Sequence, residues 1–161
     1  MRGTKRIILP HGTKYEAEAS LHNKFEIEVV DTKTGEIRQK ACAFNVICNT
    51  LFTALFNSND TYKPYFNAIV YGSGSGTPAV TDTALFKQEG YLTPISDQDK
   101  YMVDLANCSY SRTRKAVIIE TASVGVSITE IGIQCGLGLC THAMLQDMNG
   151  NLISIAKTNT D

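Results

Sequence analysis

The chain has 161 residues, 43% of them apolar and 19% charged, with a formal net charge of −1. That length suits one domain able to bury a core of its own. The near-neutral balance supplies no basic field for nucleic acid, and no apolar run reaches the ~20 residues of a membrane-spanning helix.

Residues 1–23 show no clear periodicity. Ile7, Ile8 and Leu9 form a short apolar patch ended by Pro10, His11-Gly12 reads as a turn, and Arg2, Lys5 and Arg6 make the segment basic. It lacks the apolar length and the small-residue cleavage site of a signal peptide. The expectation is an extended N-terminal arm that a neighbouring chain orders, with Arg2, Lys5, Arg6, Ile7, Ile8 and Leu9 as candidate assembly contacts. Residues 24–161 then form a single domain.

Lys24 to Phe44 predicts a hairpin. Phe25, Ile27 and Val29 alternate with Glu26, Glu28 and Val30; Asp31 to Gly35 turns the chain; Ile37, Gln39 and Ala41 share one side of the return strand. Glu26 and Glu28 are placed to pair with Arg38 and Lys40 across the polar face. From Asn45 to Asn57 the period changes. Val46, Leu51, Phe52, Leu55 and Phe56 recur at three- and four-residue spacing. This predicts a helix capped by Asn45, with an apolar face broad enough to pack on a sheet.

The rest of the chain is organised around Asn67 to Glu89. Ile69 and Val70 centre a buried strand, Gly72, Gly74 and Gly76 alternate with Ser73 and Ser75, and Pro78 keeps Thr77 extended. Asp82 or Thr81 is expected to cap a short helix through Ala84, Leu85 and Phe86. A phosphate-binding loop needs a Lys-Ser/Thr pair where its helix begins, and a dinucleotide fingerprint needs G-x-G-x-x-G opening a helix directly. Thr77 and Pro78 follow the last glycine here, so the expectation is a structural turn with no nucleotide.

Asp97 to Lys100 reads as an exposed loop, and Cys108 to Thr121 as a long strand whose second half, Ala116 to Ile119, is continuously apolar. Val126 to Gln134 and Leu139 to Gln146 are strands flanking a turn at Cys135 to Cys140. Asn149-Gly150 signals a type I′ hairpin turn before Leu152, Ile153 and Ile155. At least six strands against one or two short helices predict a mainly β chain, an antiparallel β-sandwich.

Candidate chemistry is sparse. The five cysteines, Cys42, Cys48, Cys108, Cys135 and Cys140, are odd in number and contain no C-x-x-C, which reads as free thiols of a reducing compartment. Cys135, Cys140 and His142 lie close in sequence, but a zinc site needs a fourth ligand and a glycine turn explains the spacing. None of His11, His22 and His142 accompanies a nucleophile elbow. Glu130 is either a catalytic carboxylate or, as expected here, a partner of a basic residue or the backbone. Arg112, Arg114 and Lys115 beside Tyr110 read as a solvated strand face. The chain is therefore expected to lack a catalytic residue, cofactor, metal or small-molecule substrate, and to bind neither nucleic acid nor membrane.

Four features occur in order: the hairpin, the asparagine-led segment Asn45-Val46-Ile47-Cys48-Asn49, the run Gly72-x-Gly-x-Gly-Thr-x-Ala-x-x-Thr-Asp-Thr-Ala-Leu85, and Ile128-Thr129-Glu130-Ile131-Gly132-Ile133 before a terminal hairpin. From Phe44 to Ala156 this order resembles that of small virion structural proteins of tailed bacteriophages, associated with tails, collars, baseplates and fibre attachment. The chain departs from that pattern at Thr50-Leu51, where a glycine is common, and at Cys135 to Cys140, where an acidic-glycine turn is common. The resemblance implies a non-enzymatic building block, homo-oligomeric and in contact with other virion proteins, assembled in the host cytoplasm. The alternative is a carbohydrate- or receptor-binding module using Tyr62, Tyr65, Phe66 and Tyr91; a thiol- or serine-dependent hydrolase comes third.

Overall fold

The computed structural model describes residues 3–7, 17–21, 23–56, 68–93, 95–104, 109–118 and 124–158. In chain order the first strands are β1 (Gly3–Ile7), β2 (Ala17–Leu21), β3 (Lys24–Val30), β4 (Ile37–Phe44) and β5 (Val46–Ile47), followed by helix α1 (Asn49–Phe56). Then come β6 (Ala68–Gly72), β7 (Gln88–Leu92), β8 (Ile95–Asp104), β9 (Ser109–Lys115), β10 (Ser127–Ile128), β11 (Glu130–Cys135), β12 (Gly138–Met144) and β13 (Ile155–Ala156). The chain is mainly β, with antiparallel sheets and one short helix in a β-sandwich-like arrangement.

The central sheet is five-stranded and antiparallel, in the order β5-β12-β11-β6-β7. Neighbouring side chains on a strand point to opposite faces, and on β6 this divides the core. Tyr71 joins Ile131, Ala143 and Leu145 in a cluster with Ala41 and Ala43 of β4, against which Phe25, Ile27 and Val29 of β3 pack. Val70 instead gathers with Leu139, Cys48 and Leu85. A third group holds Ile47, Leu51, Ala54, Cys135 and Cys140 around the helix. An isolated bridge from Cys42 to Gln146 ties the β3–β4 hairpin to the chain beyond β12.

The first hairpin forms as its alternation predicts. Asp31 anchors its turn: Oδ1 accepts from Lys33 N at 2.8 Å and Thr34 N at 3.0 Å, and the Arg38 guanidinium donates to Oδ2. Those backbone donors first, and Arg38 after them, hold the Asp31 carboxyl below the usual carboxylate range. Gly35 closes the turn at φ 74°, in the left-handed region that favours glycine. Lys40 pairs with Glu28 as expected, but Arg38 turns to Asp31 and Glu26 takes Lys24.

Several elements differ from the sequence reading. The helix does not start at Asn45. Val46 and Ile47 pair with His142 and Thr141 of β12, and the helix begins only at Asn49. Within it Leu51 and Ala54 are buried and Phe52 half-buried; the side chains of Leu55 and Phe56 lie outside the described residues. No helix forms through Ala84, Leu85 and Phe86, where the chain runs as turns and bends. Asp97 to Lys100 lie within β8 instead of a loop. There the pairing with β9 jumps from Ile95↔Lys115 to Lys100↔Thr113, so the polar residues occupy an irregularity in the strand. The β9 strand ends at Lys115; Ile118 beyond it packs on the main cluster while Val117 is exposed. Gly3–Ile7 and Ala17–Leu21 pair as antiparallel strands within the segment that shows no periodicity. Among the described residues no helix is long and apolar enough to cross a membrane.

Candidate functional site

Beside Gly72, at the junction of β6, β11 and β12, three ionisable side chains meet. The β11–β12 hairpin sets two of them. Its two-residue turn at Gly136-Leu137, together with a one-residue register shift between Ile133 and Gln134, puts Glu130 opposite Met144 and His142 opposite Gly132. Glu130 and His142 are therefore diagonal neighbours on one face. It is the face of Val70 and away from Tyr71, because Gly72 is the partner of Glu130 on β6. Both side chains are fully buried, at 0% exposure.

The chain from Ser73 to Lys87 folds over them. Glu130 Oε1 accepts from Gly74 N at 2.9 Å and Lys87 N at 2.8 Å. Its Oε2 accepts from Phe86 N at 2.9 Å and lies 2.9 Å from His142 Nε2. The other ring nitrogen, Nδ1, is 2.7 Å from Asp82 Oδ2, which also accepts from Ala79 N at 2.8 Å. Phe86 closes over the imidazole, with ring centroids 4.7 Å apart and planes tilted by 55°. Backbone bonds hold the rest of the segment: Asn49 N to Val80 O at 2.7 Å, Leu139 N to Thr83 O at 3.0 Å and Ser73 N to Lys87 O at 3.0 Å. Thr129 Oγ1 donates to Gly74 O at 2.6 Å.

This geometry explains the alternating glycines. A Cβ on Gly72 or Gly74 would overlap the Glu130 carboxylate and the backbone of Lys87, and one on Gly76 would strike the Phe86 ring. A buried carboxylate persists only when its acceptor sites are filled, and the bare glycine backbone allows the approach that fills them.

Glu130 thus partners the backbone, as expected, and a histidine as well. Asp82 caps no helix; it fixes the Ala79–Asp82 turn, with Asp82 N bonded to Ala79 O at 3.1 Å, and reaches inward to His142. His142 serves this network and not a metal with Cys135 and Cys140. Among the described residues, no group of three or more His, Cys, Asp or Glu side chains is arranged to hold a metal ion. The link between His142 and Asp82 was not read from the sequence. The available signal is two ionisable residues on one predicted hairpin, since such residues must find partners when buried; the register shift that brings them to one face leaves no mark in the sequence.

Cys42, Cys48, Cys135 and Cys140 are free and buried. Burial first, and the nearby Asp82 charge second, push the Cys48 thiol up to about 11. Burial and then Cys135 push Cys140 up as well. Cys108, His11 and His22 lie outside the described residues. Of the candidate assembly residues, Lys5, Arg6 and Ile7 lie in β1, while Arg2, Ile8 and Leu9 lie outside the described residues. Tyr91 is 70% exposed on β7; Tyr62, Tyr65 and Phe66 lie outside the described residues. Tyr110, Arg112, Arg114 and Lys115 all fall in β9.

Chemically, the cluster binds the protein to itself. It welds a glycine-rich segment to the sheet with hydrogen bonds from both sides. Comparison of the chain with protein-family models, with curated proteins and with solved structures finds no match in any of the three.

Proposed function

We propose that this chain is a structural subunit of a tailed-phage virion, a tail, collar or baseplate component that works in contact with copies of itself and with other virion proteins. One observation supports the reading above the others. Two of the four features that carry the resemblance, Gly72–Leu85 and Ile128–Ile133, meet in the fold, with Glu130 of the second holding the Gly74 backbone of the first. A shared pair of motifs is therefore one physical unit, a clamp and the loop it clamps.

The surface this unit presents suits an assembly role. Between Gly72 and Phe86 the only charged residue is Asp82, and it is turned into the buried network. What remains outside is small and neutral, with Val80 and Phe86 exposed. A rigid, weakly charged surface loses little conformational entropy and little charge solvation when another protein covers it. The N-terminal segment 1–21 is proposed to reach onto a neighbour, which would offset the entropy of ordering it, roughly 1–2 kcal/mol per residue for the backbone.

The test is a deletion of residues 1–21, compared with the full-length protein by amide exchange and by incorporation into particles. A truncated chain that keeps its fold but fails to incorporate supports the reading. Normal incorporation contradicts the role given to the segment.

A further inference from the structure

We propose that Asn149 is a site of spontaneous covalent modification, losing its side-chain ammonia through a cyclic imide with Gly150, and that the bonds centred on Asp147 restrain the reaction in the folded chain. The inference comes from the geometry of the turn after β12 and stands apart from the virion proposal.

The chemistry asks three things of a chain. An asparagine side chain must reach the next backbone nitrogen, that nitrogen must be uncrowded, and water must reach both. Asn149-Gly150 is the one Asn-Gly pair in the sequence. Both residues are exposed. Gly150 has no Cβ to crowd its nitrogen, and an added one would meet nothing within 4 Å. Its φ of 86° is the reason the turn keeps a glycine there. The other described asparagines, Asn23, Asn45, Asn49 and Asn151, each precede a residue with a side chain.

The reaction balances with water and base alone. Hydroxide takes the proton from Gly150 N. The nitrogen attacks Asn149 Cγ; the new C–N bond forms, the Cγ–Nδ2 bond breaks, and Nδ2 leaves as ammonia with a proton from water. Water then opens either C–N bond of the imide. Opening at Cγ gives aspartate, and opening at the backbone carbonyl gives isoaspartate. The net change is one water consumed and one ammonia released.

The turn opposes the first step. Gly150 N donates to Asp147 O at 3.1 Å, so that bond must open before the proton leaves. Asp147 Oδ1 pins Asn149 N at 2.8 Å and Asn151 N at 2.9 Å, and its Oδ2 accepts from Asn151 Nδ2 at 2.9 Å. Asp147 N closes the turn onto Asn151 O at 2.9 Å. Asn151 first, and Asn149 after it, hold the Asp147 carboxyl below the usual carboxylate range. A negative charge therefore stands beside the amide that must itself become an anion.

Isoaspartate would add a backbone carbon between residues 149 and 150. The spacing that lets Asp147 grip both ends of Asn151 is then lost. Gln146, beside the turn, bridges to Leu152 and to Cys42 of β4. Loosening would pass from the turn to the link between the first hairpin and the central sheet.

The experiment incubates the full-length chain at mildly alkaline pH, folded and in urea, and follows amide-to-acid conversion by peptide mass spectrometry. In urea Asn149 should convert ahead of every other asparagine. Folded, it should convert slower by about tenfold or more, the cost of opening one or two hydrogen bonds. Asp147→Ala, checked for its fold by circular dichroism, should recover most of that rate. Gly150→Ala, measured in urea, should convert at Asn149 more slowly than the parent by about tenfold or more, because the added Cβ crowds the attacking nitrogen. Equal rates in the folded and unfolded parent overturn the proposal, and that comparison decides the matter even if Asp147→Ala fails to fold. So does a folded Asp147→Ala as slow as the parent, or an unfolded chain in which another asparagine leads or Gly150→Ala changes nothing.

Discussion

Removing the Glu130 carboxylate should expose the size of the clamp. In Glu130→Gln the amide oxygen can stay at the Oε1 position, keeping Gly74 N and Lys87 N satisfied. The amide nitrogen then takes the Oε2 position. His142 can accept from it by changing tautomer, leaving its Nδ1–H to donate to Asp82, but Phe86 N loses its acceptor. One orphaned buried donor costs about 1–3 kcal/mol. Glu130→Ala orphans three backbone N–H groups and the ring nitrogen together. It also removes a buried charge that was itself costly to desolvate, so the net loss should be about 3–5 kcal/mol, as for breaking a buried charge network. Urea unfolding followed by circular dichroism gives both values, and amide exchange at Gly74, Phe86 and Lys87 shows where protection is lost. Equal losses in the two variants, or a Glu130→Ala protein within about 0.5 kcal/mol of the parent as at a surface site, would refute the reasoning.

Gly74→Ala should destabilise by about 1–3 kcal/mol through overpacking against Phe86, Glu130 and Lys87. Gly136→Ala, where an added Cβ meets nothing within 4 Å, should stay within about 0.5 kcal/mol; thermal unfolding of the pair checks both. Leu51→Ala should cost about 2–5 kcal/mol in chemical denaturation, since Leu51 is buried in the cluster around the helix. Alkylation at neutral pH without reductant should modify Cys42, Cys48, Cys135 and Cys140 only once the chain is denatured, and mass spectrometry finding any two of them still protected would reveal a disulfide.

The parts of the fold legible in the sequence are those decided locally. The β3–β4 hairpin follows from period-two alternation and a turn that Asp31 stabilises from within. The hairpin after β12 follows from Asp147, whose Oδ1 accepts from Asn149 N and Asn151 N, and from Gly150 at φ 86°. The failures occur where distant partners override local preference. Val46 and Ile47 carry helical spacing but find an edge of the sheet at β12. Asp82 has the composition and position of a cap, yet a histidine 60 residues away claims its carboxylate. The segment through Ala84 to Phe86 cannot be helical while Phe86 N and Lys87 N both point at Glu130. The candidate site is half legible: the sequence singles out Glu130 with a basic residue or the backbone as its expected partner, and reads the glycines as a structural loop. That one explains the other depends on strand register, which a single sequence leaves open.

The most direct test of the proposed role is the composition of purified phage particles from a host carrying the gene for this chain. Quantitative mass spectrometry of the particles should find the chain in several copies per virion, in fixed ratio to other tail proteins and resistant to removal by high salt. Its absence from the particles, with the protein free in the lysate as a monomer, would contradict the account.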